Sequence, residues 1–217
     1  MTEASNRIAA DIACLDVGKL RATLISTVWA HCDVWQSPGY SGVKKTEYSR
    51  DYIVKHHTLP CSYRETAFYL KDYRLLKEKL QDIIPETLYV RTRVDGTANV
   101  LVIADAYTPW FNLANPAMED EALPLLTKLT KAKEQLHRFV ETAQEWLAAD
   151  RVIDLYGLDN LVLDRNHEVK YLDSFEVFFH RDILHFIHDV DDELENKINL
   201  SIKRLEYLTY LRDALNG

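Results

Sequence analysis

Cysteine is scarce: Cys14, Cys32 and Cys61 make an odd count with no C-x-x-C spacing, which argues against a disulfide framework or a zinc knuckle and leaves reduced thiols as the expectation. No apolar run of membrane-spanning length occurs, and residues 1–20, interrupted by Asp11 and Asp16, lack the continuous apolar centre of a secretory signal. A cytoplasmic protein without a membrane span is therefore expected. Basic side chains are outnumbered, 26 against 34 acidic ones, so the net charge of -8 disfavours a nucleic-acid partner, which is usually met by a basic stripe. Glycine and proline are few, and no internal repeat or low-complexity tract is present.

What is there is an ordinary globular composition, 47% hydrophobic and 28% charged over 217 residues, enough to bury a core as one two-lobed domain or two small domains. The spacing predicts a helix from Ala4 to Leu20 and one strand within Ala22–Val34. After the loop Ser37–Gly42, Val43–Tyr48 and Tyr52–His57 read as strands, with Lys55 on the second. Ser62 to Ile84 is helical, its stripe of Tyr69, Leu76, Leu80 and Ile83 shared by Glu65. Leu88–Arg93 and Ala98–Ala104 flank the hairpin signal Asp95-Gly96. A long amphipathic helix follows through Leu136, Val140, Ala143 and Leu147, and helix returns from Arg181 onward.

Two short apolar strands, Leu161–Leu163 and Val169–Leu172, interrupt this helical half as a hairpin. With a turn centred near Asn166, Asn160 lies opposite Asp173, and opposed Cα atoms in an antiparallel ladder are about 4.5–5.5 Å apart. An amide oxygen and a carboxylate meeting at the open end suit Mg2+, which takes one or two protein ligands and fills its other positions with phosphate and water. The same residues would also serve as strand-end caps of backbone groups.

The order of the remaining parts resembles the protein-kinase-like phosphotransferases. Val152–Asp164 (VIDLYGLDNLVLD) with Val169–Phe175 (VKYLDSF) is similar to their catalytic loop, following hairpin and D-F-G segment, with Asn160 and Asp173 at the metal-holding positions, thirteen residues apart. Tyr52–Lys55 (YIVK) is similar to the strand that carries the phosphate-binding Lys, and Glu65 stands ten residues on, where the family has the Glu that pairs with it. The resemblance covers roughly residues 23–179. It implies an α+β, two-lobed fold: a small antiparallel N-lobe sheet with the Glu65 helix in residues 1–104, and a linker with a reduced, mostly helical C-lobe in residues 105–217. It also implies ATP and Mg2+ as ligands, with Ala104, Asp105 and Ala106 bordering the base and Gly39 and Gly42 covering the phosphates.

Three departures from that pattern bear on activity. Gly39 and Gly42 are all that stands for a G-x-G-x-x-G loop, with Ser41 or Lys44 to compensate. The position five before Asn160 is Leu155, so the general base falls to Asp154, brought back by a bulge at Tyr156-Gly157, with Asp159 as substitute. Ser174-Phe175 replaces Phe-Gly, and too few residues follow for a peptide-substrate platform. The implied function is phosphotransfer to an unknown hydroxyl acceptor, small molecule or protein. The rival is a pseudokinase acting as a regulatory module with a protein partner. His185, His188 and Asp189 read as a weaker metal cluster, His56 and His57 point to opposite faces of their strand, and the aromatics around Trp110 read as core.

Overall fold

The computed structural model describes residues 23–26, 32–37, 51–94, 96–181 and 192–216. The helix expected at Ala4–Leu20, the strand Val43–Tyr48, Gly39, Gly42, Ser41 and Lys44, and the cluster of His185, His188 and Asp189 lie outside the described residues. The chain divides into two compact units: residues up to Phe68 with Glu86–Ala106, and Tyr69–Pro85 with the residues from Tyr107 onward.

The first unit holds a five-stranded antiparallel sheet of β1 (Thr23–Ser26), β2 (Cys32–Ser37), β3 (Tyr52–His57), β4 (Thr87–Val94) and β5 (Thr97–Asp105), in the order β1-β2-β3-β5-β4. The single strand expected in Ala22–Val34 is instead two: Leu24 pairs with Trp35 and Ser26 with Val34, so the segment folds back on itself. A β-prone run without Gly, Pro or Asn gives no sign of where it turns. The β4–β5 turn is announced, and Gly96 adopts φ 81°, which only glycine accepts without strain. Val34, Lys55 and Val102 stand opposite one another across β2, β3 and β5, all buried, so Lys55 lies in an otherwise apolar row. Cys32 and Cys61 are buried free thiols, and burial pushes the Cys61 thiol further up.

Helix α1 (Tyr63–Leu80) begins with a reciprocal cap: Ser62 N–H donates to Glu65 Oε2 (2.6 Å) and Glu65 N–H to Ser62 Oγ (3.3 Å). Glu65 is therefore exposed in the first turn and not on the core stripe, because four unpaired N–H groups at a helix start compete for the nearest carboxylate. Leu76 and Leu80 are buried as the stripe requires, and the helix stops where Gln81 turns to φ 53°.

The second unit is built on α2 (Glu119–Thr127), α3 (Thr130–Ala148) and α4 (Asp192–Ala214). Leu136, Phe139 and Val140 of α3 share one fully buried core with Leu205, Leu208 and Leu211 of α4. Each such side chain contributes about 1.5–3 kcal/mol of burial. Beside them are β6 (Pro109–Asn112), β8 (Leu161–Asp164) and β9 (Val169–Tyr171) in the order β6-β8-β9, and the pair β7 (Arg151–Ile153) and β10 (Phe178–His180). Trp110 on β6 is half exposed against the His167 ring, so it caps the β8–β9 turn and is not core. Asp164 ties that turn, accepting from the N–H groups of Asn166 and Glu168 (both 2.9 Å). Among the described residues no helix is long and apolar enough to cross a membrane.

Candidate functional site

Strand β7 delivers Asp154, and the β8–β9 hairpin delivers Asn160 and Asp173 from its two sides. Leu161 pairs with Tyr171, Val162 with Lys170 and Leu163 with Val169. This register is one residue tighter than expected, so Asn160 does not oppose Asp173. It sits in a 3-10 turn (Leu158–Asn160), and its carbonyl accepts from Leu172 N–H (2.8 Å). Asp164 claims the turn residues and so moves the turn one position back. The two side chains still meet: Asn160 Nδ2 donates to Asp173 Oδ2 at 3.4 Å and to the Asp154 carbonyl at 3.2 Å.

Asp154 is held from four sides. Its N–H donates to Val177 O (2.9 Å), its carbonyl accepts from Tyr171 Oη (3.0 Å) as well as Asn160, and its Oδ1 accepts from Tyr156 N–H at 2.6 Å. Burial pushes its carboxyl up to about 7, helped by charge repulsion from Asp173 and a hydrogen bond shared with it. Lys197 of α4 pulls the other way, and so does the Tyr156 N–H. Asp173 Oδ1 accepts from Ser174 N–H (2.7 Å) and Phe175 N–H (3.4 Å), a local nest. Phe175 is buried edge-on against Tyr69, with ring centroids 5.2 Å apart, and Glu176 at φ 51° then turns the chain toward Val177.

Asn160 is 1% exposed, and its Oδ1 accepts no hydrogen bond. A buried acceptor left unmatched costs about 1–3 kcal/mol. Gly157 leaves the space into which this amide reaches. A hard cation is a partner that such an oxygen would accept, and an amide oxygen with a neighbouring carboxylate is a donor set that fits Mg2+, so Asn160 and Asp173 are the residues that would hold it. Among the described residues no cluster of three or more His, Cys, Asp or Glu side chains is placed to hold a metal.

Asp159 is exposed in the same 3-10 turn. Lys55 is buried on β3, while the Glu65 carboxylate is engaged by Ser62. Ala104 is buried in the β5 ladder; Asp105 N–H donates to Glu86 O and Ala106 N–H to Asp51 O, both at 3.0 Å. Three participants escaped sequence reasoning. Tyr171 reads only as a strand apolar, although its hydroxyl reaches Asp154. Ser201 and Arg204 lie on a helix far downstream: Ser201 Oγ accepts from Leu155 N–H (3.1 Å), and Arg204 Nη1 donates to the carbonyls of both Leu155 and Tyr156. Ser201 is fully buried and Arg204 half-buried on α4, and no sequence signal announces their backbone partners.

No family model matches the chain, and no curated protein matches it. Among solved structures it is similar to the kinase PK-1 of Cydia pomonella granulovirus, at 13% identity over 83% of this chain and 60% of that one, with a TM-score of 0.46. The chain thus spans less than two thirds of that kinase. The likeness is distant, and any reading of function stands on this chain's own residues.

Proposed function

We propose that the chain is an ATP- and Mg2+-dependent phosphotransferase of kinase-like fold, acting on a hydroxyl acceptor. The observation that carries this reading is the buried, unpartnered Oδ1 of Asn160, on a side chain whose Nδ2 donates to Asp173 Oδ2, together with the mutual repulsion of the Asp154 and Asp173 carboxyls. Asn160 and Asp173 hold the cation. Bound magnesium supplies charge neutralisation for the phosphates and for the transferring phosphoryl group. Asp154 accepts the proton of the acceptor hydroxyl as the oxygen bonds to the γ-phosphorus and ADP leaves. Its carboxyl, raised to about 7, suits proton uptake near neutral pH. Lys55, Ala104, Asp105 and Ala106, with Gly39 and Gly42, are proposed for the phosphates and the base.

A second reading, a pseudokinase that binds nucleotide weakly or not at all and acts as a regulatory module with a protein partner, is favoured by two observations. Glu65 gives its carboxylate to Ser62, and the N–H groups of Asp105 and Ala106 are bonded to their own sheet. Thermal unfolding with Mg2+ and ATP or ADP separates the readings, because a ligand of the native state raises its stability by mass action. A rise in the parent that is absent in Asp173→Asn and Lys55→Met, together with phosphate transfer or release, supports the enzyme. A rise without turnover favours the module, and no rise at millimolar nucleotide overturns the enzyme reading.

A further inference from the structure

We propose that Arg204, assisted by Ser201, is the positioning residue for Asp154, holding its carboxyl from the C-terminal helix through the Leu155–Tyr156 peptide. This rests on the reading of Asp154 as the base. Leu155 C=O and Tyr156 N–H belong to one planar trans peptide and so point in opposite directions. Arg204 Nη1 binds the Leu155 carbonyl, and that bond aims the Tyr156 N–H away from α4, onto Asp154 Oδ1 at 2.6 Å. The same nitrogen binds the next carbonyl, Tyr156 O, so the peptide on the far side of Tyr156 is also fixed. Ser201, which is fully buried, takes the Leu155 N–H at 3.1 Å and completes the brace.

Two successive carbonyls facing one guanidinium is not what a strand provides, since alternate carbonyls there point to opposite sides. Here it occurs between β7 and the 3-10 turn, where Asn160 stands six positions after Asp154. The guanidinium replaces ladder bonds that this stretch cannot make. It does so from the two in-plane N–H groups of one nitrogen, Nη1, whose directions the planar guanidinium fixes and a freely rotating ammonium does not.

The test compares the full chain with Arg204→Met, Arg204→Lys and Ser201→Ala, all well below their unfolding temperatures. Turnover, affinity for Mg–ATP and amide exchange at Tyr156 are measured. The expected result is an Arg204→Met turnover lower by about ten- to a hundred-fold, as for a displaced catalytic group. Nucleotide affinity should stay within about two-fold, with partial recovery in Arg204→Lys and a smaller loss in Ser201→Ala. Unchanged turnover in Arg204→Met, or turnover and affinity falling together, overturns the proposal. Where the parent itself has no turnover, the phosphotransfer reading fails separately and exchange decides. Faster exchange at Tyr156 in Arg204→Met, with Leu136 unchanged in the core of α3, supports the brace, and equal exchange at Tyr156 overturns it. If Arg204→Met does not fold, Ser201→Ala is judged by the same criteria.

Discussion

A Cβ added to Gly157 would stand 2.5 Å from Oδ1 of Asn160, so the two residues divide a single space between them. Gly157 has φ -71° and ψ 127°, a backbone any residue adopts, and its need to be glycine comes from this approach alone. Gly157→Ala should displace the Asn160 amide and lower stability by about 1–3 kcal/mol, the usual result of overfilling a closed site. Stabilisation by Mg2+ should fall with it. Urea unfolding with and without Mg2+ checks both effects, and a variant that keeps the full Mg2+ response would show that Asn160 does not serve the cation.

The carboxyl pair sets a pH dependence whose sign follows from Asp154. Its folded value near 7 lies above that of a free aspartate, so the folded chain holds a proton that the unfolded chain has released. The stability tied to this group is complete below the free-aspartate value. It declines as pH rises from there to about 7 and is fully lost above. Asp154→Asn keeps an oxygen for the Tyr156 N–H and abolishes the repulsion. In cation-free buffer the variant should out-stabilise the parent by on the order of 2 kcal/mol at pH 8 and by much less at pH 4. Melting curves across that range decide it, and parallel curves would mean that the pair is not strained.

Ser62→Ala and Glu65→Ala should each cost about 1 kcal/mol, since each opens the same capping box. Neither should alter the response to Mg–ATP. Loss of that response in Glu65→Ala alone would give Glu65 a role beyond the cap.

Lys170 is 2% exposed, and its Nζ is held by Glu168 Oε2 (2.8 Å) and Asp82 O (2.7 Å) while lying over the Tyr107 ring. Removing the carboxylate leaves a buried cation short of its partner, so Glu168→Ala should cost about 3 kcal/mol. The double change Glu168→Leu with Lys170→Met should cost less than the single one. Chemical denaturation of the two variants is the check, and equal losses would mean that packing, not charge, dominates there.

Much of this arrangement is legible along the chain because it is local. The stripe of Leu76 and Leu80, the Gly96 turn and the β8–β9 hairpin all follow from spacing and turn chemistry within a few residues. Asn160 and Asp173 come together for the same reason, yet the register slipped by one because Asp164 bonds two turn amides, an effect of side-chain chemistry that apolar alternation does not encode. Helical angle alone puts Glu65 on the core stripe and ignores the unpaired amides of the first turn, one of which takes its carboxylate. β7 and β10, three residues each, carry too little pattern to announce themselves, and they pair across more than twenty positions. Arg204 was beyond reach because its partners are backbone carbonyls 48 and 49 residues away, and any sequence supplies carbonyls.

That last distance also orders the events of synthesis. A growing chain contains Asp154, Asn160 and Asp173 well before it contains Ser201 and Arg204, so during that interval the Leu155–Tyr156 peptide has no guanidinium to fix it. Chains fold as their segments become available. The acid group would thus be made early and aimed late, and a nascent chain halted ahead of α4 would hold every ligand of the candidate centre without the brace that sets its carboxyl.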